Sequence, residues 1–354
     1  MCIFFEFLYA HVFVCSIIIL VILQNGSLKI MHKSPKSINA LMSYMRTKKR
    51  ISIQGSSDKK KLRYMGYFHG YKGYRYHRNP SKIFNYSSFN ELQAVYDFDM
   101  SLKAMLYPKI MFLETTTKNY ALETVLEKSN SKRFADIYAK LLTDYKSFAV
   151  GSKEYKKSIS KRLALRNKIY SVISRDYGKR FVVNHYYDKD QPLPIWAIFE
   201  LISLGEFATF IECLEEDTRK QIGKEIGIKS YADNDGKLLT MMLYTLKDLR
   251  NAVAHNNTVF DNRFHTSAIN TRIGKYLETE TGVRNITFYC IVDYIILVAY
   301  LMHALKCPRK DILSLIKSFE SACETLYKSV SMPIYSSIVF TDTRNKLNQL
   351  KTFI

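Results

Sequence analysis

Residues 238–264 read LLTMMLYTLKDLRNAVAHNNTVFDNRF. Leu238, Leu239, Met242, Leu243, Leu246 and Leu249 recur at helical spacing, as one apolar stripe of an amphipathic helix. The stripe runs into Arg250 and Asn251, and His255 follows shortly after. A core-building helix that finishes on these three residues has two readings. It is a polar helix end facing water, or it is a site where a fixed cation and a titratable imidazole share one phosphate. Asn251 and His255 are i and i+4 and lie on one helix face. Arg250 is about 140° from His255 on an ideal helix, within reach of a long side chain.

The same helical grammar extends through the chain. Only 13 glycines and 7 prolines occur in 354 residues, where glycine alone is usually about 7%. That scarcity argues against a sandwich, a barrel or a glycine-rich phosphate loop, and predicts an all-α, multi-helix bundle. Val95, Phe98, Leu102, Met105, Leu106, Ile110 and Leu113 form one stripe within Phe89–Lys128, read as one or two helices. Asp97 and Asp99 within it point to different sides and are not a paired acid and base. Further helices are expected at 34–50, 131–148, 152–176, and along IWAIFELISLGEFATFIECL (195–214), with Pro194 in its first turn. Segments 287–305 and 309–330 close the chain, and 291–305 is apolar enough to be central. Six scattered cysteines have no CxxC or other ligand spacing, so they read as small core residues of a reduced, cytoplasmic protein.

The formal charge of +21 points to a polyanionic partner, since a compact chain with that excess repels itself. RNA is the expected partner. Between Arg46 and Arg78 there are eleven Lys or Arg and one acid, Asp58, interleaved with Tyr64, Tyr67, Phe68, Tyr71, Tyr74 and Tyr76. Aromatic faces among cations suit single-stranded RNA, through stacking and phosphate neutralisation; the plainer reading buries the aromatics and leaves only the cations in water. A second basic run spans 153–180. The expected RNA-binding residues are Lys59, Lys60, Lys61, Arg63, Lys72, Arg75, Lys156, Lys157, Lys161 and Arg162.

Residues 1–30 differ from the rest, with an apolar run from Phe7 to Leu23 interrupted by Tyr9, His11 and Ser16. The run reaches the lower limit for spanning a bilayer, and lacks the basic start of a secretory signal. Two readings stand: an inner-membrane anchor that leaves the body of the protein in the cytoplasm, or a true start at Met31.

Arg250, Asn251 and His255 suit metal-independent cleavage of RNA by its own 2′-OH. The histidine moves a proton, the arginine grips the phosphate and stabilises the oxyanion, and the asparagine orients either. One such set supplies one acid–base group, so two copies meeting in a homodimer would complete the pair. No carboxylate cluster or Cys/His set is present to hold a metal, and no cofactor is expected. The Arg-x4-His spacing occurs again at Arg180 and His185, beside prolines and without a stripe, and reads there as accidental.

Five blocks, in order, carry a resemblance: YMGYFHGYKGY (64–74), YDFDMSLKAML (96–106), NHYY (184–187), LPIWAIFELISLGEF (193–207) and LRNAVAHNNTVFDNRF (249–264). With them the chain resembles the Abi-like abortive-infection proteins of the AbiD/AbiF group, over roughly residues 34 to 305. The resemblance implies a HEPN-type helical domain over 131–354, an N-terminal helical extension over 31–130, and a ribonuclease motif at Arg250, Asn251 and His255. It also implies phage defence or a toxin–antitoxin arrangement. HEPN relatives without nuclease activity exist, so the alternative is a non-catalytic protein that forms a ribonucleoprotein with a small structured RNA. Glu200, one turn after Trp196, is a candidate carboxylate for Arg250, or else a surface acid. His69, His77, His265 and His303 show no sequence partners and read as structural or exposed.

Overall fold

The Ser88 hydroxyl accepts the backbone N–H of Glu91 and starts the longest helix, Phe89–Ser129, which ends on Asn130 in the left-handed region. The computed structural model describes residues 36–265 and 268–354, and among these there is no strand, only isolated bridges. The fold is all-α, as the scarcity of glycine and proline predicts. Pro108 lies inside the long helix without ending it. A proline there leaves the carbonyl of Ala104 without its helical donor, and Ala104 is exposed, so water can take that place. The expected stripe is buried from Val95 to Leu113, apart from half-buried Met105.

Two units are distinguished, Met1–Lys49 and Arg50–Ile354. The described part of the first is the basic-ended helix Ile38–Lys49. In the second, the boundary expected near residue 130 falls within a single body. The long helix packs there on Glu216–Ile226, on the motif helix Leu238–Ala254 and on Arg309–Ser329. The motif helix also lies along Leu204–Cys213, which packs on Lys153–Asp176. The apolar leader lies outside the described residues. Among the described residues no helix is long and apolar enough to cross a membrane.

The central helix, Ile291–Ala304, is buried from Ile291 to Met302, as its composition requires. It carries one charge inside. Asp293 accepts the N–H groups of Thr287 and Phe288 and pairs with Lys346 at 2.8 Å. Burial raises the Asp293 pKa, and the lysine opposes that shift. Lys346 comes from Thr343–Phe353, one of two helices beyond residue 330 that the sequence reading did not expect; the other is Met332–Ile338. The helix Gly55–Met65 and the π-helical turns Gly66–Lys72 were also missed.

Two expected helices are shorter. Residues 131–148 fold as Phe134–Lys140 and a 3-10 turn, Asp144–Ser147. There Asp144 turns inward to receive Arg219 at 2.7 Å and the Ser158 hydroxyl at 3.0 Å. The segment 195–214 is two helices, Ile195–Leu201 and Leu204–Cys213, with Pro194 as the N-cap of the first. A capping box between Ser203 and Glu206 opens the second, and Lys118 donates to the Ile202 carbonyl at 2.8 Å in the break. Cys213, Cys290 and Cys323 are buried thiols and Cys307 is half-buried.

Candidate functional site

The motif helix buries Leu238, Leu239, Met242, Leu243, Leu246 and Leu249, the stripe read from the sequence. Its end is a Schellman closure around His255. Asn257 N–H returns to the Ala252 carbonyl at 2.8 Å and Asn256 N–H to Val253 at 3.3 Å, with Asn256 left-handed at φ 54. His255 is therefore the C-cap residue. Its amide bonds Asn251 at 3.0 Å, and its imidazole is exposed with no hydrogen-bond partner among the described residues.

Arg250 is half-buried and fixed from the side. Its Nε meets Glu114 Oε2 at 3.3 Å, while Glu114 Oε1 meets Lys118 at 3.0 Å. Glu200, read from the sequence as a carboxylate for Arg250 or else a surface acid, is exposed on the helix Ile195–Leu201. The actual partner comes from the long helix, where nothing in the sequence singled out Glu114. A longer contact, 3.4 Å, joins Arg250 Nη1 to Asn251 Oδ1. Arg250 Nη2 has no acceptor among the described residues, so one edge of the guanidinium is open to an anion.

The chain beyond His255 is clamped. Lys103 donates to Asn256 Oδ1 at 2.8 Å and pairs with Asp99 at 2.8 Å. Asp99, fully buried, also accepts Val259 N–H, Phe260 N–H and the Tyr74 hydroxyl at 2.8, 2.7 and 2.6 Å. Burial, with Asp99 beside it, pushes the Tyr74 phenol far above its usual range, so it remains a donor. Arg263 closes the knot by pairing with Asp261 and donating to the carbonyls of Gly73 and Tyr76 at 2.9 and 2.8 Å. Three blocks distant in sequence, 64–74, 96–106 and 249–264, thus meet in one place.

The family model for Abi-like proteins matches residues 60–261. The chain belongs to the Abi-like family. No curated protein and no solved structure matches significantly. The matched range of this Abi-like protein contains Arg250, Asn251 and His255, and also Glu114, Lys118, Asp99 and Lys103, which hold them in place.

The expected RNA-binding residues separate into groups. Lys60 and Arg63 are exposed on Gly55–Met65, with Lys59 and Lys61 half-buried, and Lys60 lies 5.7 Å from the ring of exposed Tyr64. Tyr71 and Tyr74 are core residues, as the plainer reading of that stretch required. Lys72 and Arg75 line a cavity shared with Asn256, Asn257 and Thr258, directly after the motif. Lys156 and Lys157 are exposed on Lys153–Asp176. Two others there are engaged within the protein: Lys161 with Glu212, and Arg162 with the Tyr138 carbonyl and ring. At the second Arg-x4-His spacing, Arg180 pairs with Asp176 and His185 rests on Phe181 and Tyr186. Among the described residues no group of three or more His, Cys, Asp or Glu side chains is placed to hold a metal ion.

His77, packed against Phe84 and Phe260, and His265, stacked on Tyr294, are half-buried aromatic partners. His303 lies against Phe353. Burial lowers the His77 pKa to about 4 and also lowers that of His265. The folded-state value lies below the unfolded value, near 6.5. Between about 6.5 and about 4 the unfolded chain therefore binds protons that the fold excludes. Stability is full above this window and falls as the pH drops through it. Urea midpoints at pH 7 and pH 5 should differ less in His77→Gln than in the wild type, and an equal gap would remove His77 from the account.

Proposed function

We propose that this Abi-like protein is an RNA-binding abortive-infection protein with a HEPN-type endoribonuclease site at Arg250, Asn251 and His255. The observation that carries the reading is the pairing of an arginine, fixed by Glu114 with one edge open, and an exposed imidazole at a rigid helix end. An RNA 2′-OH loses its proton to a base, its oxygen bonds to phosphorus, and the bond to the 5′-oxygen breaks as that oxygen gains a proton. The products are a 2′,3′-cyclic phosphate and a 5′-hydroxyl. Arg250 stabilises the pentavalent oxyanion, and the Asn251 amide holds a phosphate oxygen. His255 performs one of the two proton transfers.

The other transfer needs a second imidazole, which a two-fold partner would supply by pairing motif helices. Mixed dimers of wild-type and His255→Ala chains should then be impaired beyond dilution, and a fully active monomer in sedimentation would rule the pairing out. Incubation with RNA in EDTA tests the chemistry as a whole. The Glu114–Arg250–Asn251 contacts are equally those of a structural arginine. Tight binding without cleavage of any RNA would therefore favour the non-catalytic ribonucleoprotein reading.

RNA affinity should be strongly salt-dependent. If roughly 6 to 10 phosphates are neutralised, it falls about 10³–10⁵-fold between 50 and 200 mM salt. Lys60→Glu with Arg63→Glu, both exposed, should flatten that slope. An affinity independent of salt would discard the basic surface as the RNA contact.

A further inference from the structure

Tyr71 and Tyr74, among the aromatics expected to meet bases, are core residues, yet the protein exposes aromatic rings elsewhere. The short helix Phe181–Tyr187 buries only Val183. Phe181 is 84% exposed, Tyr177 53% and Trp196 40%. The rings adjoin one another. Phe181 lies 5.7 Å from His185, His185 5.2 Å from Tyr186, Tyr186 6.0 Å from Trp196, and Tyr177 6.2 Å from Tyr187. The last three contacts are edge-on, at 82°, 70° and 67°, and leave ring surface in water. Between residues 164 and 200 every exposed large hydrophobic side chain is aromatic. Flat rings without exposed aliphatic neighbours suit bases better than a partner helix, whose anchors need an apolar groove.

The cluster is held in place. Gly178, at φ 77, donates its N–H to Asn184 Oδ1 at 2.7 Å, and the Tyr177 hydroxyl donates to Asp188 at 3.0 Å. Residues 166–200 carry six Lys or Arg against Asp176, Asp188, Asp190 and Glu200. Asp176 is shared by Arg175 and Arg180, while Lys179 and Lys189 are exposed beside the rings and Asp190 and Glu200 are exposed at the border. Exposed Lys156 and Lys157 extend the positive surface along Lys153–Asp176. The helix carrying Trp196 ends at Leu201, and the next carbonyl, of Ile202, takes Lys118, the partner of Glu114. It therefore ends two side chains from Arg250.

We infer that this cluster is a stacking platform for unpaired bases of an RNA strand whose phosphates meet Lys179, Lys189 and the basic helix. Every base has a π-face, so stacking on such rings tolerates any sequence. The inference rests on the RNA-binding half of the reading above and not on cleavage.

Trp196 is the single tryptophan of the chain, so intrinsic fluorescence of the unsubstituted protein reads the platform directly. A single-stranded octamer, as RNA and as DNA that has no 2′-OH nucleophile, should quench that emission, and a duplex of the same sequence should not. Phe181→Ala, at an exposed position, should weaken octamer binding about five-fold or more, the scale of one lost stacking contact. Phe181→Tyr should restore it. The salt slope should be unchanged in Phe181→Ala and should fall by roughly 1.4 in Lys179→Ala with Lys189→Ala, about 0.7 for each single-strand phosphate contact. No quenching by either octamer, equal quenching by the duplex, or unchanged affinity in Phe181→Ala overturns the platform and leaves the face to a protein partner. RNA cleavage by a protein whose tryptophan is not quenched keeps the nuclease reading and removes the platform. Quenching in a protein that cuts no RNA does the reverse.

Discussion

His255→Ala should slow RNA cleavage by about 10²–10⁴-fold, the usual contribution of one positioned acid–base group. Arg250→Ala should cost a comparable amount, by removing the cation that meets the developing charge. Both losses should appear in EDTA, on RNA and not on matching DNA, which has no 2′-OH nucleophile. Neither change should unfold the protein. His255 is exposed at a helix end, and Arg250 is half-buried at the end of a stripe that is itself left intact. Glu114→Gln separates positioning from chemistry. It keeps an acceptor for Arg250 Nε but loses the charge that holds the guanidinium, so the rate should fall less than in Arg250→Ala. A denaturing gel with end-group analysis reads all of this. Cleavage that survives either alanine, requires magnesium or cuts DNA equally well would eliminate the mechanism.

Asp99→Ala should destabilise the fold by about 3–5 kcal/mol, the cost of leaving a buried charge without its counter-charge. Lys103, nearly fully buried, would lose that partner, and the Val259 and Phe260 amides and the Tyr74 hydroxyl would lose their acceptor. A domain is typically stable by about 5–15 kcal/mol, so the variant would sit close to its unfolding threshold. Asp99→Asn with Lys103→Met, which removes both charges, should recover part of the loss. Urea denaturation measures the change, and a shift below about 1 kcal/mol would show that the knot is not what holds the segment after the motif.

The fold was legible where burial follows helical spacing. The stripes at 95–113 and 238–249 and the central helix are buried as read. The errors fall where a side chain competes with the backbone. Ser203 caps a new helix inside an apolar run that periodicity alone would continue. Asp144 turns a helical pattern inward toward Arg219. The motif end was visible because Arg250, Asn251 and His255 lie close together in sequence. Its supports were not: Glu114 and Arg250 are 136 positions apart and Asp99 and Val259 are 160 apart. On a helix full of buried positions, neither carboxylate differs in pattern from an ordinary surface acid. Composition could count the cations of the basic stretches, but could not say that Lys161 and Arg162 have protein partners while Lys156 and Lys157 on the same helix are exposed.

Asp293 and Lys346 are separated by 53 positions. At roughly 5–20 residues per second of synthesis, the aspartate of the central helix is added to the chain about 3–10 s before the lysine that neutralises it. During that interval the most apolar helix of the protein carries a lone carboxylate, and settling it into the interior is opposed by the full cost of desolvating that charge. The motif helix is already made by then, and the ion pair inside the unit around it waits on Lys346. Translation order therefore works as a timer: the protein reaches its finished state only after the lysine arrives.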